Sequence, residues 1–467
     1  MPARVGYLAA LFVVAVAAIG LILVQPPAPA PTPSGSPGAS TLAADRSPGL
    51  TPMPTGSPAT SDPPLGACEL PATLPTPPTP VAAPSVTSQG VGMLFGASEY
   101  VRDAQNRIVP DDSTIGVWYV APGASEATLL VSGEPGGALP LALSPAGHVA
   151  AVWYLPERRN ADDPTCLAGI YLVPTSGGPS RLIETGEWLW REDGDGLQYG
   201  TRRTPGGPPR IYTLPLASFS ADGRSLALID PDGITIVGPG RDPVTRRHIG
   251  QCSSWAWSPE GSRFVAGCAE MTKAWTIDVD DGFSKATPAV PIPEGFRGSG
   301  GGWMFARIGI TGDGDIRFVR FRANPCRPGA SGPTCLPTGW SETTIDPITG
   351  RSRSFVHEAD WWNPGGYIAM SVDASWLYAG ASPPRVISID SGVARKASRI
   401  SGPISTAADG RRLFGVMRFR GPGPRYVVVS LNRTGARRDI ATINWSDDAD
   451  HRNRFFVYGL AISAPPS

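Results

Sequence analysis

The chain has little charge, and what it has is balanced: 40 Lys and Arg against 40 Asp and Glu in 467 residues, 17% in all. Such a balance leaves no overall field to draw in nucleic acid, which is therefore not an expected partner. Lysine is nearly missing, with only Lys273, Lys285 and Lys396, so the basic residues are almost all arginine. Histidine is scarce too. His148, His248, His357 and His451 stand far apart, and none belongs to an H-E-x-x-H pattern. There is no G-x-S-x-G nucleophile elbow, no P-loop and no dinucleotide fingerprint. No C-x-x-C spacing or cysteine-histidine pairing suggests zinc. The acidic turns "REDGDG", "DVDDG" and "TGDGD" fall short of a calcium loop and read as ordinary turn acids. The expectation is a chain that is not an enzyme, with no cofactor and no metal.

Long apolar runs are also few, and the one present is at the start. Val5 to Val24 is uncharged and, as a helix, about 30 Å long, enough to span a bilayer. Arg4 before it favours a cytoplasmic amino terminus. Residues 1–24 are thus expected to be a transmembrane anchor, with a cleaved signal as the other reading. Residues 25–88 are rich in Pro, Ser, Thr, Ala and Gly, with little to bury, and read as a disordered linker. Fully stretched, it could hold the remainder ~190 Å from the membrane. The remainder, residues 89–467, is then extracytoplasmic at the cell membrane.

Six cysteines in an exported chain imply disulfides. Cys252 and Cys268 lie equidistant from Glu260 in a hairpin, where opposed strand residues can be bridged. Cys326 and Cys335 enclose a short loop, which leaves Cys68 and Cys166 as a third pair.

The body is a series of repeats. "LALSPAGHVAAVWYL", "ASFSADGRSLALID", "WAWSPEGSRFVAGC" and "IGITGDGDIRFVRF" turn at Gly147, Gly223, Gly261 and Gly314. "AMSVDASWLYAG" fits with Ser375 in the glycine place, and "ISTAADGRRLFGVM" turns at Gly410. A small residue opens each turn, an acidic residue caps it in most copies, and glycine takes the positive φ. The run after each turn is apolar on both faces, so each hairpin needs a neighbour on either side. Two further strands follow most hairpins, giving four-stranded units of about 35 to 38 residues, the signature of an all-β β-propeller. Seven blades are expected. Eight follow if "EWLWREDGDGLQYGTRR" is a degenerate blade, and six if the terminal pieces do not pair. Closure is expected to join two strands from "INWSDDADHRNRFFVYGLAIS" with outer strands "STIGVWYVAP" and "ATLLVSG".

The "FSADGRSLALID" and "WSPEGSRFVAG" pattern resembles the WD40-like (PD40) repeats of TolB-type propellers over about residues 90 to 463. The resemblance implies the fold but not a function, because propellers of this kind serve scaffolding, binding and gating alike. Neither a TolB-type α/β domain before the blades nor a peptidase domain after them is expected from these residues.

Trp255, Trp257 and Trp445 sit in repeat register and are expected to pack between blades. Trp303, Trp361 and Trp362 instead precede inner strands, in connections that should gather at one channel mouth, and are the candidate ligand-binding residues. The expected function is a monomeric, membrane-tethered, non-catalytic module that binds a protein or a cell-envelope component. The alternative is a carbohydrate-binding or hydrolytic propeller using the channel mouth.

Overall fold

The repeated turns fold as their chemistry requires. A computed structural model describes residues 70–77, 83–88, 90–100, 114–133, 136–156, 166–193, 196–201, 210–211, 216–230, 233–238, 243–247, 252–268, 273–279, 284–286, 306–323, 337–358, 368–380, 383–406, 412–419, 425–444 and 454–463. All of these belong to one compact unit, Cys68–Ser467. In it, the main-chain N–H of Ser144, Ser220, Ser258 and Ser371 donates across the hairpin to the carbonyl of Val149, Ser225, Arg263 and Trp376, at 2.8 to 2.9 Å. The same serines accept at Oγ from N–H groups on the returning strand, Val149 at 3.0 Å, Ser225 at 2.9 Å, Arg263 at 3.0 Å and Trp376 at 3.1 Å. Thr311 plays this part in its own turn, with Asp315 N–H donating to Oγ1 at 3.2 Å. Gly147, Gly223, Gly261 and Gly314 all take positive φ there. In the copy opened by Ser371, however, the residue at positive φ is Ala374, at 53°, and not Ser375. The turn closes one residue earlier than the sequence alignment expects. Its register shifts with it, so Ile368 and Met370 rather than Ala369 and Ser371 are the positions matching the other inner strands, and Ser371 is the buried turn-opening serine.

The strands form seven antiparallel sheets. Numbered along the chain and written from the centre outward, blade 2 begins Gly137–Leu143, Val149–Leu155, Cys166–Pro174 and Arg181–Asp193. Blade 3 is Leu216–Phe219, Leu226–Asp230, Gly233–Val237 and Val244–Arg247, and blade 4 is Cys252–Trp257, Arg263–Cys268, Lys273–Asp278 and Ser284–Ala286. Blade 5 is Ala306–Ile310, Ile316–Ala323, Pro337–Ile345 and Ser352–Glu358. Blade 6 is Ile368–Met370, Trp376–Ala379, Arg385–Ser388 and Ala394–Lys396. Blade 7 is Ser401–Thr406, Arg412–Phe419, Arg425–Asn432 and Arg437–Asn444. Blade 1 mixes the two ends of the chain: Arg454–Ile462 is innermost, followed by Met93–Tyr100, Thr114–Val120 and Thr128–Ser132.

The protein is therefore a seven-bladed β-propeller. The "EWLWREDGDGLQYGTRR" segment is not an eighth blade: Gly196–Thr201 and Arg210–Ile211 add to the outside of blade 2 and make it six-stranded. Closure uses one strand from the carboxy-terminal side and three from the amino-terminal side, not two and two. Ile443 and Asn444 of that segment end the fourth strand of blade 7 instead.

Each sheet is buried on both faces, and seven apolar clusters fill the seven gaps. Ala151, Trp153 and Ile170 meet Leu226 and Leu228 between blades 2 and 3, for example, and Val265 and Ala274 meet Ile316 and Phe318 between blades 4 and 5. The last gap, between blades 7 and 1, joins Phe414, Tyr426 and Val428 to Phe95, Trp118 and Leu460. Closure also reproduces the repeated turn without its loop. Ser463 N–H donates to Gly92 O and Gly92 N–H donates to Ser463 Oγ, both at 3.0 Å, as in the intact turns.

The propeller takes in residues that composition assigns to the linker. Ser85–Ser88 pairs with Ala441 to Asn444 as a fifth strand on blade 7. Val86 N–H also donates to Ser125 O in blade 1, at 2.9 Å. Further back, Leu70 and Leu74 pack on the cluster between blades 1 and 2, Tyr171 OH donates to Pro71 O and Leu74 N–H to Ser180 Oγ, both at 2.6 Å. The expected anchor at residues 1–24 lies outside the described residues. Among those that are described, no helix is long and apolar enough to cross a membrane.

Cys252 and Cys268 face one another across the first hairpin of blade 4 and are joined, with their Cα atoms 3.9 Å apart. Cys68, Cys326, Cys335 and the side chain of Cys166 lie outside the described residues. Changing Cys252 and Cys268 together to serine is expected to lower stability by about 3 kcal/mol. Denaturant titration checks the loss, and a non-reducing peptide map that recovers both as free thiols would refute the bridge.

Candidate functional site

Trp255 and Trp257 pack as the repeat register implies. Trp257 is buried between blades 3 and 4, edge-on to Phe264, and its indole N–H donates to Ser218 O of blade 3 at 3.0 Å. Trp255 is half-buried against the same cluster. Trp445 lies outside the described residues. So do Trp303, Trp361 and Trp362, which belong to connections leading from an outermost strand, Ser284–Ala286 or Ser352–Glu358, to the innermost strand of the next blade. Among the described residues, no group of three or more His, Cys, Asp and Glu is placed to hold a metal ion.

The polar chemistry that the structure does gather lies in blade 5 and the flanks it turns to its neighbours. A strand buried on both faces ordinarily carries only apolar side chains, yet "GWSETTI" in the third strand buries Ser341, Glu342, Thr343 and Thr344. Alternation sends Trp340 and Glu342 to the side of blade 6, and Ser341 and Thr343 to the side of blade 4.

On the blade 6 side, Arg317 is the centre of the group. It is buried, and its guanidinium pairs with the buried Glu342 at 3.1 Å. The same group reaches into blade 6, donating to Asp390 Oδ1 at 2.6 Å and to the carbonyl of Ala374 at 2.7 Å. One arginine thus binds two carboxylates and caps the turn that holds the left-handed alanine. The contacts to Asp390 and Ala374 are charge-assisted hydrogen bonds, and the one to Glu342 is an ion pair. Closer to the centre, Arg307 on the first strand of blade 5 donates to Ile368 O of blade 6 through Nε at 3.0 Å and Nη2 at 2.7 Å. Burial brings its pKa down to about 10, which still leaves it charged at neutral pH.

Farther out on this side, the ring of His357 stacks on Trp340 with centroids 4.0 Å apart and planes 17° from parallel. Gly392 of blade 6 comes so close that a Cβ there would lie 2.5 Å from His357 Nδ1. Burial lowers the His357 pKa below the ordinary 6.5, and the nearby Glu342 opposes that shift only in part. On the blade 4 side, Arg320 is buried over the Phe318 ring at 5.1 Å and donates to Thr343 Oγ1 at 3.3 Å, with Ser354 Oγ a further 3.0 Å from Thr343. Burial lowers its pKa to about 10 as well.

Arg317, Arg320, Glu342, Asp390 and His357 are absent from the sequence-based candidates. A signal was available: "IRFVRFRA" and "WSETTI" put arginines and a glutamate on strands whose counterparts in other blades are apolar. What hid them is that each partner sits on another strand or blade, as with Arg317 and Asp390.

No protein-family model and no curated protein matches the chain. Among solved structures, the periplasmic gluconolactonase PpgL of Pseudomonas aeruginosa is similar at 15% identity and a TM-score of 0.41, covering 80% of this chain and 100% of that one. The WD40 domain of Toxoplasma gondii coronin is similar at 12% identity and 0.36, covering 80% and 91%. A TolB structure from Agrobacterium tumefaciens is similar at 12% and 0.30, covering 54% and 91%. These likenesses are too distant to speak to function, and the blade count rests on the strand pairing itself.

Two outcomes follow from the blade 5 group. Arg317→Ala leaves Glu342 buried without its counter-charge and is expected to cost 3 to 5 kcal/mol, roughly. Combining it with Glu342→Gln should recover part of that loss in the same denaturant titration. For His357, the folded-state pKa lies below the unfolded one, so the unfolded chain binds more protons in between. Its contribution is therefore complete above pH 6.5 and is lost as the pH falls from there through the folded-state value. Melting temperatures of wild type and His357→Gln should converge in that direction, and parallel curves would refute the assignment.

Proposed function

We propose that this chain is a membrane-tethered, extracytoplasmic propeller that binds a protein or a cell-envelope component and performs no reaction on it. The observation that carries the reading is the use made of the charged groups between blades 5 and 6. Glu342 and Asp390 both engage Arg317, and Arg307 engages a main-chain carbonyl of the next blade. These groups hold neighbouring blades together, Arg317 and Glu342 from within the gap and Asp390 from its exposed rim. The Cys252 to Cys268 bridge supports the extracytoplasmic side, because disulfides persist in oxidising compartments. The apolar run Val5 to Val24 supplies the tether and the proline-rich stretch after it supplies reach.

In this reading the connections holding Trp303, Trp361 and Trp362 form a contact surface, since aromatic side chains give large contact area at low entropic cost. The test is crosslinking of the full-length protein in its membrane, followed by identification of what is captured. The protein should fractionate with membranes, and deletion of residues 1–24 should release it folded. Changing Trp361 and Trp362 together to alanine should abolish capture while leaving the melting temperature nearly unchanged. A protein that begins after Ala30 and is found free of membranes would refute the tether. A large drop in melting temperature with capture retained would refute the contact role.

A further inference from the structure

The outer edges of the blades are not treated alike. Blade 7 has its edge strand partly covered by Ser85–Ser88, which also touches the edge of blade 1. Blade 2 is extended by two more strands. Blades 3, 4 and 6 end in strands of only four, three and three residues. Short edges and added strands are the usual defences against unwanted pairing. Blade 5 has neither defence. Its outermost strand, Ser352–Glu358, is seven residues long, and no described strand pairs with its outer side.

That strand also exposes two large apolar residues, Phe355 at 52% and Val356 at 54%, with Val393 of blade 6 exposed at 48%. The pairings of Arg353 with Thr344, Phe355 with Glu342 and His357 with Trp340 put Arg353, Phe355 and His357 on the flank facing blade 6. There the contact of Gly392 with His357 brings the turn carrying Val393 against the strand. The surroundings are basic. Arg351 and Arg353 are exposed, as are Arg395 and Lys396 on the short outer strand of blade 6 and Arg399 after it. Of the carboxylates nearby, Asp390 is held by Arg317, Asp346 accepts from Thr349 of its own turn and keeps its charge, and Glu358 closes the strand at its other end.

We propose that the outer edge of blade 5 is a docking site for an extended, acidic and apolar segment of a partner protein, which adds to the blade as a fifth strand. The chain already uses this geometry on itself, where Ser85–Ser88 adds to blade 7. A second copy of the same edge is less suited, since antiparallel pairing of the strand with itself, centred on Phe355, sets Arg353 across from His357 of the other copy and so gives it no carboxylate directly opposite. A flat anionic surface fits badly too. Phe355 and Val356 point to opposite faces of the sheet, so one plane cannot take both, whereas an added strand has side chains on both faces. The proposal deepens the reading of the chain as a binding module and rests on it.

The test uses the full-length protein in detergent micelles and a labelled, end-blocked peptide of about seven residues alternating glutamate and valine, matched to the strand's length. Fluorescence anisotropy should show binding that Arg353→Glu and Phe355→Ser each weaken at least about tenfold without lowering the melting temperature. A version of the peptide N-methylated at alternate residues, on its pairing side, should not bind, because strand addition needs those N–H groups. Equal binding of the methylated peptide, unchanged binding by the two variants, or binding only to phosphatidylglycerol vesicles would each overturn the proposal. Crosslinked capture that persists in Phe355→Ser would also remove this edge as the site, while leaving the binding-module reading in place.

Discussion

Each blade of this protein has two apolar faces and can bury neither by itself. That constraint dictates the ring. A face left open at any point would expose a cluster such as Phe414, Tyr426 and Val428, so the seventh gap has to be filled by blade 1. Blade 1 in turn exists only because Arg454–Ile462 returns to pair with Met93–Tyr100. The hydrogen bonds between Ser463 and Gly92 show how closely this junction imitates an ordinary hairpin. Burial and strand pairing are thus satisfied by one closure.

The gap between blades 5 and 6 combines apolar packing with a buried ion pair. It has an apolar part, in which Val319, Phe321 and Trp340 meet Ile368 and Leu377. Beside this lies the Arg317 group. Burying a guanidinium and a carboxylate costs desolvation that their attraction offsets only when further hydrogen bonds are made. Here Asp390 and the Ala374 carbonyl supply them. The contact is directional where apolar packing is not, and it ends on the one turn whose left-handed residue, among those described, is not glycine. Ala374 also packs its Cβ towards Gly309 of blade 5, where a side chain on the glycine would come within 2.6 Å of it. The turn is therefore gripped from blade 5 on two sides.

Edges raise the opposite problem, since a propeller closes its centre but leaves each outermost strand open. The amino-terminal approach to the ring is used to manage part of this. Residues 70–77 rest on blades 1 and 2, and Ser85–Ser88 lies against the outer sides of blades 7 and 1. The segment leading into the propeller thus straps the junction where the two ends of the chain meet.

What the sequence determined by itself was the repeat and hence the ring. The serine and glycine turns are local chemistry, visible wherever Ser220 to Gly223 or Ser258 to Gly261 recur, and doubly apolar runs imply neighbours on both sides. The Cys252 to Cys268 pairing was legible for the same reason, because both residues belong to one hairpin. Register was less secure: one residue of difference between Ala374 and Ser375 changes which side chains face inward, and spacing alone does not resolve it. Tertiary structure decided the rest. Whether Gly196–Thr201 extends a blade or starts one depends on which edge is open to receive it. Whether "INW" belongs to blade 7 or blade 1 depends on competition between distant strands. The Arg317 group was hidden because its members, Glu342 and Asp390, lie 25 and 73 residues away on separate strands and blades. Local periodicity reports how a strand alternates, and only the assembled ring reports what each face meets.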